Sequence, residues 1–149
     1  MVFAYSVVGS PDQVAAQIGY YLNGLAQANR LLMREQPIPH IYHSGVTYAV
    51  EASYSSVQQL TNCLEAWRQG FIECKGAAAW LLACYREQQP SEELARLYDI
   101  DVTWKERAAD PLGRGLVPKN GIVRIYHARV RLPDGTIEDP TKRMKKRAA

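Results

Sequence analysis

Cysteines and long apolar runs are both scarce in this sequence of 149 residues. The three cysteines form no Cys-x-x-Cys pair, and an odd number without a secretion signal argues against a disulfide framework and favours a reducing compartment. The longest apolar run covers only residues 76–84, whereas about 20 residues are needed to cross a bilayer. The first residues also lack the basic start and the apolar stretch of a secretion signal. The sequence therefore predicts no membrane contact and no secretion by a signal peptide.

Charge is nearly balanced except at one end. Hydrophobic residues make up 47% and charged residues 22% of the chain, which is typical of one globular domain with a real core. The net charge of +3 depends on a cluster of five basic residues. They are Lys142, Arg143, Lys145, Lys146 and Arg147. We therefore predict a single domain over residues 1–141 and a basic C-terminal tail over residues 142–149. The tail is expected to be a frayed, solvated terminus, with contact to nucleic acid phosphates as the alternative.

Signals for a long first helix begin at Ser10. Ser10 can cap the helix, Pro11 suits its first position, and Gln13 can close a capping box. The helix should end before Pro37. The following stretch is predicted to be a loop with a short strand near residues 46–50.

Two more helices are predicted between residues 56 and 87. The second has Ser56 as its cap and Gly70 just past its end. Its apolar face consists of Val57, Leu60, Leu64 and Trp67. The third runs from Cys74 to about Glu87 and is nearly apolar all round, which predicts a central, buried helix.

The hydrophobic period changes after Pro90, where strands replace helices. Apolar and polar residues alternate here, which predicts a half-buried strand. Its apolar positions are Tyr98, Ile100, Val102 and Trp104. Residues 122–132 and 136–139 are predicted to form two further strands around the turn at residues 133–135. Helices followed by strands indicate an α+β fold, in which N-terminal helices pack on a small antiparallel sheet.

Cys74 lies where one helix has just ended and a buried one begins. A helix N-terminus stabilises the thiolate, which is the nucleophilic form of cysteine. Cys63 and Cys84 are expected to act only as small hydrophobic residues. A cysteine at a buried helix start more often packs than catalyses, so Cys74 needs a partner base to be a candidate nucleophile.

His127 and Asp139 are the candidate partners, and the hairpin between them allows two geometries. A three-residue loop places Asp139 opposite Arg129, on the same sheet face as His127 and diagonal to it. A two-residue loop places Asp139 opposite Val130 and on the other face. Gly135 can supply the left-handed residue that the three-residue loop requires.

Two segments resemble the transglutaminase-like superfamily and its papain-like relatives: residues 70–82, GFIECKGAAAWLL, and residues 126–140, YHARVRLPDGTIEDP. Residues 26–30, AQANR, and residues 39–48, PHIYHSGVTY, together with Trp67, resemble a phage-encoded branch often found among virion-assembly genes. The resemblance implies a transglutaminase/papain-like core with a catalytic triad of Cys74, His127 and Asp139.

The sequence departs from this branch at three positions. Glu73 replaces an aspartate before the cysteine, Gly76 replaces an acidic residue after it, and Arg129 stands where many relatives have tryptophan. The backbone amide of Cys74 and the side chain of Gln69 are the candidate oxyanion donors.

The function implied is a cysteine-dependent amide hydrolase or acyl transferase of the peptidase or transglutaminase-like type, acting on a protein or peptide without a cofactor. The alternative is a catalytically inactive phage virion structural or assembly protein, which uses the fold as a docking module for other phage structural proteins. Either protein is expected in the host cytoplasm or the virion. His40 and His43 have His-x-x-His spacing, but without a third ligand they predict loop histidines rather than a metal site.

Overall fold

The structure is a computed structural model that describes residues 2–6, 9–49, 57–108 and 122–147. Its α-helices are α1 (Pro11–Glu35), α2 (Cys63–Gln69), α3 (Cys74–Glu87) and α4 (Glu92–Ala95), with 3₁₀ turns at Ile41–His43 and Pro140–Lys142. Its strands are β1 (Val2–Ser6), β2 (Thr47–Tyr48), β3 (Val57–Thr61), β4 (Phe71–Ile72), β5 (Asp99–Ala108), β6 (Ile122–Arg131) and β7 (Ile137–Glu138). β5, β6 and β7 form an antiparallel sheet, β1 pairs antiparallel with β3, and β2 pairs parallel with β4. The predicted α+β class, with N-terminal helices and a small antiparallel sheet, is confirmed.

The start of α1 has the predicted capping box. The Ser10 hydroxyl accepts from the Gln13 amide at 3.3 Å, and the Gln13 side chain accepts from the Ser10 amide at 2.8 Å. The helix ends at Glu35, before Pro37. Its inner face packs against α3 and β5. Buried Arg30 donates to Glu87 at 2.7 Å and to Glu92, which fastens α1 to α3 and α4.

The prediction for the second helix is wrong in its first half. Val57–Thr61 is a strand that pairs with β1, and β1 was not predicted at all. The helix begins only at Cys63, where the Asn62 side chain accepts from the Glu65 amide at 2.9 Å. Pairing with a distant strand satisfies the backbone of residues 57–61, so their helix-like spacing does not decide their conformation. The proposed cap, Ser56, lies outside the described residues.

Two local predictions in the same region are confirmed. Gly70 ends α2 in the left-handed conformation with φ of 89°, which favours glycine. The predicted strand near residues 46–50 is present as the short β2, although its last predicted residue lies outside the described part of the chain.

Helix α3 forms the centre of the core, as predicted. Every residue from 74 to 84 is buried. The helix packs against α1 on one side and β6 on another. Because no face is left for water, α3 depends on its neighbours for stability.

Replacing Leu81 with alanine should lower the free energy of unfolding by about 2 to 5 kcal/mol, because the side chain is fully buried and its loss leaves a cavity. Leu97→Ala is the matched control, since Leu97 is 53% exposed and its truncation should cost less than about 0.5 kcal/mol. Urea denaturation of both variants measures the difference. Equal midpoints for the two would contradict the central position of α3.

The basic tail is not the frayed terminus that was expected. Lys146 forms a parallel bridge with Tyr48, so residues 145–147 continue the small β2–β4 sheet. Backbone hydrogen bonds to β2 hold this segment in place, which composition alone does not indicate. Its separation from a domain ending at residue 141 stays a prediction. Among the described residues, no helix has both the length and the apolar character needed to cross a membrane.

Candidate active site

The β6–β7 hairpin has the three-residue loop. The Leu132 amide donates to the Thr136 carbonyl at 2.8 Å, and Gly135 has φ of 87°. Val130 faces Glu138 in the register of the two strands. The next pair in this register places Asp139 across from Arg129, diagonal to His127 and on the same face. The geometry required to bring His127 and Asp139 together is therefore present.

His127 and Asp139 are in direct contact. Nε2 of His127 lies 2.6 Å from Oδ2 of Asp139. The other carboxylate oxygen accepts from the Thr141 amide at 3.0 Å and from the Thr141 hydroxyl at 2.7 Å. Burial alone would raise the pKa of Asp139, but the hydrogen bonds from Thr141 and His127 outweigh it and lower the pKa below its usual value. Asp139 is therefore held as a carboxylate that orients the imidazole.

Cys74 occupies the first position of α3, and its side chain lies beside His127. The Cys74 side chain is the largest influence on the pKa of His127. Burial opposes it, but the hydrogen bond to Asp139 adds to it, and the pKa rises from 6.5 to about 9. Since Nε2 faces Asp139, Nδ1 is the ring nitrogen left for Cys74. At neutral pH the imidazole is thus protonated beside the sulfur.

The other two cysteines lie in different environments. Cys63 and Cys84 are almost completely inaccessible, with exposed fractions of 0% and 1%. Burial raises the pKa of Cys63 to about 12 and that of Cys84 to about 11, which keeps both as neutral thiols. All three cysteines are free thiols. Only Cys74 has a basic partner among the described residues.

The two oxyanion candidates differ in their hydrogen bonds. The first ladder bond of α3 runs from the Ala77 amide to the Glu73 carbonyl at 2.9 Å, so the helix ladder does not use the Cys74 amide. Gln69, by contrast, is exposed at the end of α2, and its Nε2 donates to the Phe71 carbonyl at 2.9 Å. Among the described residues, no hydrogen bond joins the Gln69 side chain to Cys74, His127 or Asp139. Its role at an oxyanion stays a prediction, and the Cys74 amide is the better placed donor.

Glu73 and Gly76, two of the departures from the pattern of the branch that the sequence resembles, fit one another. A Cβ atom at position 76 would lie 2.5 Å from Oε1 of Glu73 and 2.9 Å from the side chain of Ile72. The same Oε1 accepts from the Thr61 amide at 3.2 Å, which holds the carboxylate over the glycine. An acidic side chain at position 76 would collide with this arrangement.

The third departure, Arg129, is part of an ion pair on the His127 face of the sheet. Its guanidinium donates to Asp101, on the neighbouring strand β5, at 2.7 Å. The pair lies next to the candidate site, since Asp101 faces Arg129 and Thr103 faces His127 in the β5–β6 register.

Glu138, the residue before Asp139, is held by two tyrosine hydroxyls. Tyr42 donates to it at 2.5 Å and Tyr85 at 2.6 Å. Burial and the hydrogen bond to Glu138 raise the pKa of Tyr42, and they raise the pKa of Tyr85 to about 12. Both tyrosine hydroxyls therefore keep the protons that they donate. Because Tyr85 belongs to α3, this contact fixes β7, the strand directly before Asp139, to the helix that carries Cys74. Sequence analysis missed this cluster and Thr141.

His40 precedes the first 3₁₀ turn and His43 is its last residue, with ring centroids 5.7 Å apart. Nδ1 of His40 accepts from the Tyr42 amide at 3.2 Å, which gives this ring a local role as a cap. Over the described ranges, no group of three or more histidine, cysteine, aspartate or glutamate side chains is placed to bind a metal ion.

Comparison of the chain with protein-family models, with curated proteins and with solved structures gives no match in any of the three.

Proposed function

We propose that this protein is a cysteine-dependent amide hydrolase or acyl transferase of the transglutaminase-like and papain-like type. The observation that supports it is the position of His127, whose Nε2 contacts the Asp139 carboxylate at 2.6 Å and whose pKa is influenced most by the neighbouring Cys74 side chain. A histidine between a thiol and a carboxylate is the arrangement by which cysteine nucleophiles are activated, and the His127 side chain holds this position while 33% exposed. The sequence resemblance extends the proposal to a phage-encoded branch of this group.

The first half of the reaction forms a thioester. The Cys74 sulfur attacks the carbonyl carbon of the amide substrate, and the carbonyl oxygen takes the electron pair and accepts from the Cys74 amide. His127 then gives its proton to the leaving nitrogen as the C–N bond breaks. Asp139 keeps the ring oriented and stabilises its charged form throughout.

The second half releases the acyl group. His127, now neutral, accepts a proton from water or from an amine while that nucleophile attacks the thioester carbonyl. The C–S bond breaks and the sulfur leaves as the thiolate, which restores the pair with the protonated imidazole. Water gives hydrolysis and an amine gives acyl transfer, so the same residues serve either outcome.

Labelling with iodoacetamide across a pH series tests the proposal. At pH 6 to 8, Cys74 should be alkylated faster than in a His127→Gln variant, because the protonated imidazole stabilises the thiolate. The difference should disappear as the pH rises through about 9, where His127 loses its proton. Peptide mapping by mass spectrometry after short exposures measures the rate at each cysteine.

The buried cysteines provide the internal control, since Cys63 and Cys84 should stay unlabelled in the folded protein at neutral pH. Equal rates at Cys74 with and without His127 over the whole pH range would refute the activated nucleophile. That result would favour the alternative, a virion structural or assembly protein that retains the fold as a docking module.

A further inference from the structure

The five cations near the end of the sequence lie on a segment that is held in place at both ends. We call residues 142–147 the basic segment. The Tyr48 amide donates to the Lys145 carbonyl at 2.7 Å, and the Arg147 amide donates to the Tyr48 carbonyl at 2.6 Å. The Arg143 guanidinium stacks 3.9 Å from the centroid of the Tyr42 ring. The position of these charges on the molecule is therefore defined.

The basic segment borders the candidate active site on two sides. It begins three residues after Asp139, through the 3₁₀ turn Pro140–Lys142, which packs against α3. At its other end, the Arg147 guanidinium lies 3.8 Å from the centroid of the Phe71 ring, on the strand that leads into Cys74.

The separation between the segment and the strand before Cys74 is small. Tyr48 pairs with Ile72 on one side and with Lys146 on the other. Two strand spacings, about 10 Å in all, therefore separate Lys146 from the residue two places before Cys74. This separation slightly exceeds the Debye length of about 8 Å at physiological ionic strength, so the attraction of the segment for anions should be weakened by salt and strongest at low ionic strength.

Within the described part of the chain, no ion pair neutralises the charges of the basic segment. All five basic side chains are exposed. None of them forms an ion pair within 4.0 Å with the acidic side chains of the described residues. They thus create a positive field at the edge of the site, which raises the local concentration of anions.

We propose that the basic segment is part of the substrate-binding surface and that it recruits peptides with acidic side chains to Cys74. This inference rests on the proposed function. An acidic peptide fits better than nucleic acid because the nucleophile acts on acyl carbonyls. In addition, Tyr42 and Phe71 are covered by arginines and so offer no free ring on which a base could stack.

Affinity labelling tests the inference without requiring turnover. The probes are chloroacetyl-tetraglutamate amide and chloroacetyl-tetraglutamine amide. In both, the Cys74 thiolate displaces chloride, so that a C–S bond forms as the C–Cl bond breaks. The acidic probe should label Cys74 about tenfold faster than the neutral one at low salt. This ratio should fall towards one at 0.5 M NaCl and in a Lys145→Glu/Lys146→Glu variant.

Arg96→Glu is the control for a charge reversal away from the site, because Arg96 is also exposed but follows α4, beyond the opposite end of α3. This variant should keep the ratio. A ratio near one in the unaltered protein, while iodoacetamide still labels Cys74, would overturn the inference and leave the proposed function standing. Absence of iodoacetamide labelling would instead refute both. If a single-stranded oligonucleotide is instead the ligand of the basic segment, it should protect Cys74 from labelling, and the two peptide probes should label Cys74 at equal rates. This result would overturn the inference that the segment recruits acidic peptides.

Discussion

Cys74→Ala should abolish hydrolysis of amide substrates and all thiol labelling at neutral pH, and the fold should be retained. Alanine cannot form the thioester, so no covalent route remains. The substitution removes only one sulfur atom from a site that is 7% exposed, and its cost in stability should be about 1 kcal/mol. Loss of the Cys74 side chain, the largest influence on the pKa of His127, should also bring that pKa down from about 9. Turnover assays, mass spectrometry and an NMR titration of His127 measure these three effects.

Cys84→Ala provides the comparison, since it changes another buried cysteine on the same helix. It should leave both labelling and turnover intact, because Cys84 has no part in the site. If Cys74→Ala retained catalytic turnover, Cys74 would not be the nucleophile.

Asp139→Ala should reduce kcat/KM by about 10²- to 10⁴-fold, the range expected when proton transfer by a positioned histidine is lost. Alanine removes the acceptor for His127 and the acceptor for Thr141 together. The kcat/KM of Asp139→Asn should lie between those of the unaltered protein and of Asp139→Ala. Its single carbonyl oxygen can accept from His127 but cannot at the same time replace the second carboxylate oxygen, which accepts from Thr141.

The pKa of His127 separates a positioning role from a structural one. It should fall in both Asp139 variants, because each removes the negative charge that stabilises the imidazolium. Glu93→Ala, on the exposed helix α4, should change neither kcat/KM nor this pKa. Unchanged titration of His127 in Asp139→Ala would rule out the orienting role of the carboxylate.

The parts of the site that could be predicted are those fixed by local rules. The start of α3 follows from Gly70 and the apolar run after Cys74. The pairing of His127 with Asp139 follows from a loop in which Gly135 takes the left-handed conformation. In each case a few neighbouring residues determine the backbone, and the side-chain direction then depends on counting along a helix or a strand.

The parts that could not be predicted depend on contacts between distant segments. Nothing near residues 57–61 shows that they pair with β1, so their helical spacing was misleading. The bonds of Tyr42 and Tyr85 to Glu138 also require the folded chain. Thr141 is the exception, because an aspartate followed two residues later by threonine is a known local turn pattern that could have indicated it.

The bond from Tyr42 to Glu138 joins residues that are 96 positions apart, and it has a consequence for how activity arises during synthesis. α3 is made long before the hairpin that carries His127 and Asp139, and as a helix buried on every side it has no stable form alone. A nascent chain therefore holds a cysteine with no imidazole beside it. Closing such long loops comes late and slowly. The thiol should consequently stay inert on the ribosome, and heating should destroy the nucleophile at the same temperature that melts the whole domain.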